Sequence, residues 1–336
     1  MSRANAKMAW RIVTLLGLPL GLALTVWLVS AASLTGVVQS FTKVGWGAVA
    51  VVAVRAVMIA MNGVAWSRLL ANLATVSIPI FVLLRWVREA IDVLLPVAGI
   101  GGGLVAARML TFWGVSGAIA IASVIADLFL QTVAQVLFAL VGIALFARFI
   151  GQSAVLPSSI VGIAAALIVL GGFYVVQRYG GARLIDRAFV ALSARMTSRS
   201  ETAEPGFQRA MDSIWKGRSR YAVVALLVHT FAWMLGTLEV WLTLHFMQWP
   251  VTLEQAIILE SLGASISSAA FFIPGSWGVQ EGGYILIGQL LGVPVQLSLT
   301  LSLVKRIPDL ALGVPGLVVW YALKTRRLFS SRFPAS

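Results

Sequence analysis

Eight long apolar runs dominate this chain and restrict it to folds made of helices. A helix needs about 20 apolar residues to cross roughly 30 Å of hydrocarbon. Backbone N–H and C=O groups find no water there, and a helix pairs all of them within its own segment. The sequence therefore predicts an all-α, polytopic membrane bundle of about eight transmembrane helices. The runs are 12–32, 45–64, 114–147, 158–177, 221–246, 254–273, 284–303 and 309–323.

Residue composition agrees with a membrane location and excludes several kinds of site. Hydrophobic residues make up 60% of the 336 and charged residues 11%, whereas a soluble domain carries roughly a quarter charged residues. There is no cysteine, which excludes disulfides and thiolate metal sites. His229, Glu239 and His245 do not share one helical face, so no metal site is predicted. No cofactor is predicted, and the absence of a GxxxxGK(S/T) motif argues against direct ATP binding.

Lys and Arg collect at the N-terminus, in segment 178–220 and in the C-terminal tail. Basic segments stay in the cytoplasm, so four crossings on each side of 178–220 place both termini and this segment there. The run after Arg11 exceeds the about 7–15 apolar residues of a cleavable signal, so it predicts an uncleaved anchor. These three basic segments fix the orientation of the chain in the membrane and attract anionic lipids. No folded basic domain is present, so nucleic acid is not predicted as a partner.

The basic segment also divides the chain near its middle. We predict a single integral membrane domain, 1–336, made of a first half (1–177), a cytoplasmic basic linker (178–220) and a second half (221–336). A linker of about 40 residues is too short to bury a catalytic core of its own.

The topology gives a first testable prediction. Reporters fused within 197–205 and after Arg332 should both report a cytoplasmic location, because an even number of crossings separates them. Activities of paired cytoplasmic and periplasmic reporters measure this. Opposite locations for the two fusions would remove the basis for two halves.

Each half contains one interruption rich in glycine and proline, at 94–103 and 272–283. Irregular backbone at membrane depth survives only where protein buries it or a wet cavity contacts it. Paired interruptions in two halves are typical of transporter binding sites built on an internal repeat. The sequence thus predicts two broken segments, and leaves open whether they are re-entrant and whether the halves form an internal two-fold repeat. Ordinary loops outside the bilayer are the alternative, since loops are also rich in Gly and Pro.

Polar residues near these interruptions are the candidate substrate-binding residues. A helix that begins inside the membrane presents free N–H groups, which suit an anionic or polyol lipid head group. Glu281 would need a partner at such depth, and Arg88 and Arg306 are the candidates. No catalytic residue is assigned. The predicted substrate-binding residues are Arg85, Arg88, Glu89, Asp92, Arg108, Asp127, Gly278, Gln280, Glu281, Arg306 and Asp309.

A polar stripe runs along the third apolar run, where Ser123, Asp127, Gln131 and Gln135 recur every four residues. A weaker stripe follows Glu260 on the sixth run. Such faces point into the bundle, because a carboxylate facing lipid is costly. For Asp127, a functional role and simple hydrogen bonding between helices both stay open. For the two glutamines, hydrogen bonding between helices is favoured.

Several of these motifs resemble a known family. The stretches PGSWGVQEGG at 274–283 and SLVKRIPDLALGVPGL at 302–317 resemble the hopanoid-biosynthesis-associated branch of the lysylphosphatidylglycerol synthase transmembrane, or flippase-like, family. The stretch RWVREAIDVLLPVAGIGGG at 85–103, with the AAR at 106–108, resembles its first-half motif. Related sequences commonly carry an acidic residue where this chain has Gly103. Of the two motifs, only the second therefore keeps its acidic residue, Glu281.

The resemblance implies a protein of the bacterial inner membrane that moves lipids. The leading hypothesis is a non-enzymatic flippase or transporter of an amphiphilic lipid, either a hopanoid or a phospholipid. Proteins of hopanoid biosynthesis or export are its expected partners. An integral-membrane lipid-modifying enzyme that uses Glu281, Asp127 or Glu260 as acid or base is the alternative. A noncatalytic partner of hopanoid enzymes is a third.

Overall fold

The computed structural model describes residues 23–28, 30, 34–95, 101–151, 203–270 and 273–332. Every regular element in these ranges is helical, which confirms the all-α prediction. Several predictions fall outside the described residues: the crossing at 158–177, most of that at 12–32, residues 96–100 of the first interruption and the linker up to 202.

Residues 23–28 and 30 are helical, and six further helical elements follow them in the described part of the first half. They are α1 (Leu34–Val44), α2 (Gly47–Leu69), α3 (Ile78–Leu94), α4 (Gly101–Leu110), a 3₁₀ turn (Thr111–Trp113) and α5 (Gly117–Gly151). Helix α6 (Ala203–Trp215) lies in the linker. The second half consists of α7 (Ser219–Phe246), α8 (Leu253–Ala269), a 3₁₀ turn (Pro274–Ser276), α9 (Val279–Leu290), α10 (Val295–Val304) and α11 (Arg306–Arg332) in its described part.

Within the described ranges, four helices are long and apolar enough to cross a membrane. They are Gly47–Leu69, Gly117–Phe149, Ser219–Phe246 and the unit Val295–Thr325, which joins α10 to α11. The prediction of a polytopic membrane helix bundle is therefore confirmed.

The boundaries of two predicted crossings differ from the apolar runs. Helix α8 has 17 residues and is about 25 Å long at 1.5 Å per residue. The run 284–303 is not one helix, because α9 ends at Leu290 and α10 begins at Val295. Gly292 adopts a left-handed φ of 79° between them, and Pro294 has no N–H to continue a helix. Hydropathy alone does not reveal this turn, because its residues Leu291 and Val293 are apolar and buried.

The two halves repeat one order of elements: a long helix, a helix of 17 residues, a short helix and a second long helix. These are α2, α3, α4 and α5 in the first half and α7, α8, α9 and α10–α11 in the second. Helix α2 packs against α7, α3 against the last helix of the other half, and α8 against α5. This reciprocal packing agrees with the predicted internal two-fold repeat.

Small residues let the helices approach closely, as is common between membrane helices. A Cβ on Gly63 of α2 would lie 2.6 Å from the Cα of Val82 on α3. One helix turn away, Trp66 is fully buried and meets Phe81 edge-on at 5.2 Å between ring centroids.

The close approach at Gly63 predicts a large packing effect. Replacing Gly63 with Ala should lower the free energy of unfolding by about 1–3 kcal/mol, because the backbone of α3 must move. Thermal unfolding of the purified protein in detergent measures this. Gly282→Ala is the matched control, since an added Cβ there meets nothing within 4 Å. Equal stability of the two variants would contradict the packing.

Candidate functional site

A cavity of 340 Å³ lies where the helices of the two halves meet. The second interruption forms part of its wall, through Ile273, Gly275 and Ser276. The other lining residues are Arg55, Met58, Ile59, Asn62, Arg85, Glu89, Asp92, Val93, Gln131, Ala232, Trp233, Glu260, Ala264, Ser267, Ser268, Gln280, Tyr284, Lys305, Arg306 and Asp309. A polar and charged cavity thus opens inside an otherwise apolar bundle.

The second interruption is held by Glu281 and Arg306. Gly275 and Gly278 adopt φ values of 63° and 78°, which only glycine adopts readily. Glu281 is fully buried, and its Oε2 accepts a hydrogen bond of 2.7 Å from the N–H of Gly278 at the start of α9. Nη2 of Arg306 lies 3.0 Å from Glu281 Oε1, and its Nη1 donates to the carbonyl of Gly275. Arg306 also lies 4.5 Å above the Trp277 ring.

A carboxylate holds the first interruption in a similar way. Oδ1 of Asp92, on α3, accepts a hydrogen bond of 2.9 Å from the N–H of Gly102 in the first turn of α4. An added Cβ on Gly102 would lie 2.3 Å from the carbonyl oxygen of Arg88, so only glycine fits. In both halves a carboxylate thus binds the N-terminus of the short helix, where the helix dipole favours a negative charge.

One buried charge cluster, called the Asp127 cluster, lies behind the cavity wall formed by α3. Asp127 is fully buried. Its Oδ2 lies 2.8 Å from Nη1 of Arg88 and 3.8 Å from Nη1 of Arg85, and its Oδ1 lies 3.0 Å from Nε2 of His229. Arg85 also binds Glu89 at 2.9 Å. The cluster joins α3, α5 and α7.

A second cluster, called the Glu239 cluster, joins α2, α7, α8 and α9 with Lys305, which directly follows α10. Arg55 donates to both oxygens of Glu239, at 2.7 and 2.8 Å. Nζ of Lys305 lies 2.8 Å from Glu239 Oε2 and 2.8 Å from Glu260 Oε2. The hydroxyl of Tyr284 donates to Glu260 at 2.9 Å. The carboxylates of α7 and α8 therefore share one lysine at the kink between α10 and α11.

The structure brings most of the predicted substrate-binding residues to this region. Six line the cavity: Arg85, Glu89, Asp92, Gln280, Arg306 and Asp309. Four lie behind its wall: Arg88, Asp127, Gly278 and Glu281. Arg108 is exposed on α4 and does not line the cavity. Of the two partners considered for Glu281, Arg306 makes the contact, whereas Arg88 binds Asp127 instead.

The polar stripe on α5 faces other helices, as expected. Trp66 donates to Ser123 at 3.1 Å, Arg85 to Gln131 at 3.2 Å, and Gln135 to Ser268 at 2.5 Å. The stripe therefore hydrogen-bonds α5 to α2, α3 and α8, which is the structural role favoured for both glutamines.

Sequence reasoning missed Arg55, and considered Glu239 and His229 only as metal ligands. The available signal was an isolated ionisable residue inside an apolar run, which marks a functional or paired position. His229 and Glu239 face different clusters, and His245 stacks on Trp241 at 5.0 Å. Among the residues that the structure describes, no group of His, Cys, Asp or Glu could hold a metal ion.

The family described as the lysylphosphatidylglycerol synthase TM region matches residues 13–316. The chain belongs to this family. The match spans both halves of the bundle and includes every residue that lines the cavity. No curated protein and no solved structure gives a significant match. Family membership and the apolar helices together make this a multi-pass membrane protein related to lipid synthases and flippase-like proteins.

Proposed function

We propose that the protein is a flippase or transporter of an amphiphilic lipid, associated with hopanoids, in the bacterial inner membrane. The observation that carries the proposal is a charged cavity, enclosed by two repeated halves and bordered by a broken helix, inside a membrane bundle. Such an arrangement lets a polar head group cross the bilayer while its apolar tail stays in lipid. Both termini are proposed to face the cytoplasm.

Charge pairing in the cavity supports a head group rich in hydroxyls. Each charged lining side chain has an opposite charge within 4 Å. A phosphate would have to displace a carboxylate from one of these cations, which would leave a buried charge unpaired. A hydroxyl both donates and accepts, so it can bind Asn62, Gln131 or Gln280 without breaking an ion pair. This favours a polyol over a strongly anionic head group.

Proteoliposomes test the proposal directly. Fluorescent lipids of matched tails, carrying a glycosyl, phosphoglycerol or phosphoethanolamine head group, together with a hopanoid, should reach the outer leaflet faster with protein than without. The glycosyl lipid should move fastest. Equal exchange rates in protein-containing and empty vesicles, for every lipid tested, would refute transport.

The cavity also leaves a lipid-modifying enzyme as a second candidate, because the Glu260 carboxylate lies on its wall beside Tyr284 and Lys305. Lipid analysis of a deletion strain separates the candidates. Transport predicts normal total lipid with an altered distribution between membranes, whereas an enzyme predicts the loss of one lipid product. Co-purification of hopanoid-synthesis enzymes would support the partner role.

A further inference from the structure

A narrow apolar cleft continues the charged cavity between α3 and α11. This cleft, called the α3–α11 seam, has lining residues in common with the cavity: Arg55, Ile59, Glu89, Val93 and Asp309. The residues that line the seam alone are all apolar: Trp86, Ala90, Pro308, Leu312 and Gly313. The charged wall of the cavity thus gives way to an apolar passage where the first half meets the second.

Successive positions around α11 lead from the cavity to the outer surface of the bundle. Asp309 lines the cavity, and Gly313, one turn later, is buried in the seam. At about 100° per residue, Leu310 and Val314 lie next around the helix, and they are 58% and 53% exposed. Exposed apolar side chains on a membrane-spanning helix face the lipid tails. The seam therefore lies between the cavity and the surrounding lipid.

Polar contacts across the seam are few. Within the described ranges, a single side-chain hydrogen bond joins α3 to α11, from Nε1 of Trp86 to the carbonyl of Leu312 at 2.8 Å. The ion pairs of these two helices run along one helix or to other helices instead. Separating α3 from α11 therefore breaks one hydrogen bond and no ion pair, and it exposes mainly apolar surface to lipid.

Small residues and a proline let α11 move relative to α3. A Cβ on Gly316 would lie 2.7 Å from the Cβ of Ala90, so only small groups meet at this contact. Pro315 lies inside α11. It removes the N–H that would bond to the carbonyl of Ala311, which favours a kink. Helix α11 can therefore bend next to the seam without losing a further backbone hydrogen bond.

We propose that the α3–α11 seam binds the apolar tail of the transported lipid, a role that rests on the proposed transport function. The head group occupies the cavity beside Glu89 and Asp309, and the tail passes between Trp86 and Gly313 into the bilayer. The lipid enters sideways, when α3 and α11 separate and the hydrogen bond from Trp86 breaks. The tail thus stays out of water while the head group crosses.

Photolabelling of the wild-type chain in lipid nanodiscs tests the binding site without requiring transport. The probe is the glycosyl lipid with a photoreactive diazirine in its tail, and mass spectrometry locates the labels. We expect labels on Trp86 and on the buried Ala90, as well as on the lipid-facing Leu310 and Val314. Excess unlabelled glycosyl lipid should reduce labelling in the seam and leave the lipid-facing positions unchanged. Labels confined to the lipid-facing positions would overturn the site.

Engineered disulfides test entry through the seam. The chain has no cysteine, so two introduced cysteines give one defined bridge. Ala90→Cys with Gly316→Cys bridges the seam, and Gly142→Cys with Ser261→Cys bridges α5 and α8, the equivalent helix pair of the repeat. An added Cβ on the glycine lies 2.7 Å from the partner Cβ in both pairs. A disulfide holds these atoms about 3.5–4.5 Å apart, so both bridges require a similar small displacement.

Flipping of the glycosyl lipid in proteoliposomes is measured before and after oxidation. Oxidising the seam pair should lower the rate at least about tenfold, and a reductant should restore it. The α5–α8 bridge should leave the rate unchanged. No loss with the seam bridge, or an equal loss with both bridges, would overturn entry at this seam. A wild-type protein that flips no lipid would refute the proposed function, and photolabelling would still decide whether the seam binds a tail.

Discussion

Replacing Glu281 with Gln should reduce lipid transport at least about tenfold while the protein still accumulates in the membrane. A Gln at this position of α9 can still accept the hydrogen bond from the Gly278 N–H, since Glu and Gln serve equally in such caps. The charge on Arg306 then loses its strongest partner, because Asp309 lies 3.9 Å away. Removing one partner of a buried ion pair costs about 3–5 kcal/mol of stability. Arg306 lines the cavity, so its unpaired charge disturbs the cavity wall.

Flipping rates in proteoliposomes, normalised to the amount of protein, measure this effect. Glu254→Gln is the matched control, because Glu254 lies in the first turn of α8 and lines no part of the cavity. We expect that control to transport at the wild-type rate. Normal transport by Glu281→Gln would show that the interruption at 272–283 needs no charge, and would remove our reason for assigning it a function.

Replacing Lys305 with Met should cause a large loss of stability, lowering the free energy of unfolding by about 3–5 kcal/mol. Met fills a similar volume but leaves Glu239 with Arg55 alone and Glu260 with only the hydroxyl of Tyr284. The ammonium group of Lys305 links the junction of α10 and α11 to α7 and α8, so its loss weakens the packing within the second half. Unfolding in mixed micelles, followed by tryptophan fluorescence, measures the change.

A second substitution tests whether the charge is the cause. Adding Glu260→Gln to the Lys305→Met variant removes the unpaired carboxylate and should restore part of the stability. The control Lys216→Met breaks an ion pair whose lysine side chain is 76% exposed, so we expect a change of about 0.5 kcal/mol or less. A double variant no more stable than Lys305→Met would argue that packing, not charge, explains the effect.

The sequence located the cavity region well because its signals are local. Both interruptions combine Gly and Pro within short stretches, and six of the predicted substrate-binding residues, which lie in or within about one helix of these stretches, line the cavity. Arg108 met the same local criterion but lies exposed on α4. Proximity in sequence to an interruption does not state which face of a short helix points inward, and a helix of ten residues offers little periodicity to decide it.

Local sequence patterns do not identify the partners in the ion pairs of the site. Arg55 and Glu239 are 184 residues apart in the chain, and each sits as a single charge in an apolar run. Either residue signals that a partner exists, because an unpaired charge in hydrocarbon is costly, but neither says which residue it is. Arg88 and Arg306 were equal candidates for Glu281 until the packing of α3 and α11 decided between them.

The sequence by itself determined the helical membrane bundle and the position of the second interruption. These follow from hydropathy, from backbone hydrogen bonding in lipid and from the restricted conformations of Gly and Pro, all of which act within a few residues. The tertiary structure alone decided which charges pair, that α9 and α10 are separate helices, and that His229 bridges the two halves. Those features depend on which helix faces meet, and that choice minimises unpaired buried charge over the whole bundle.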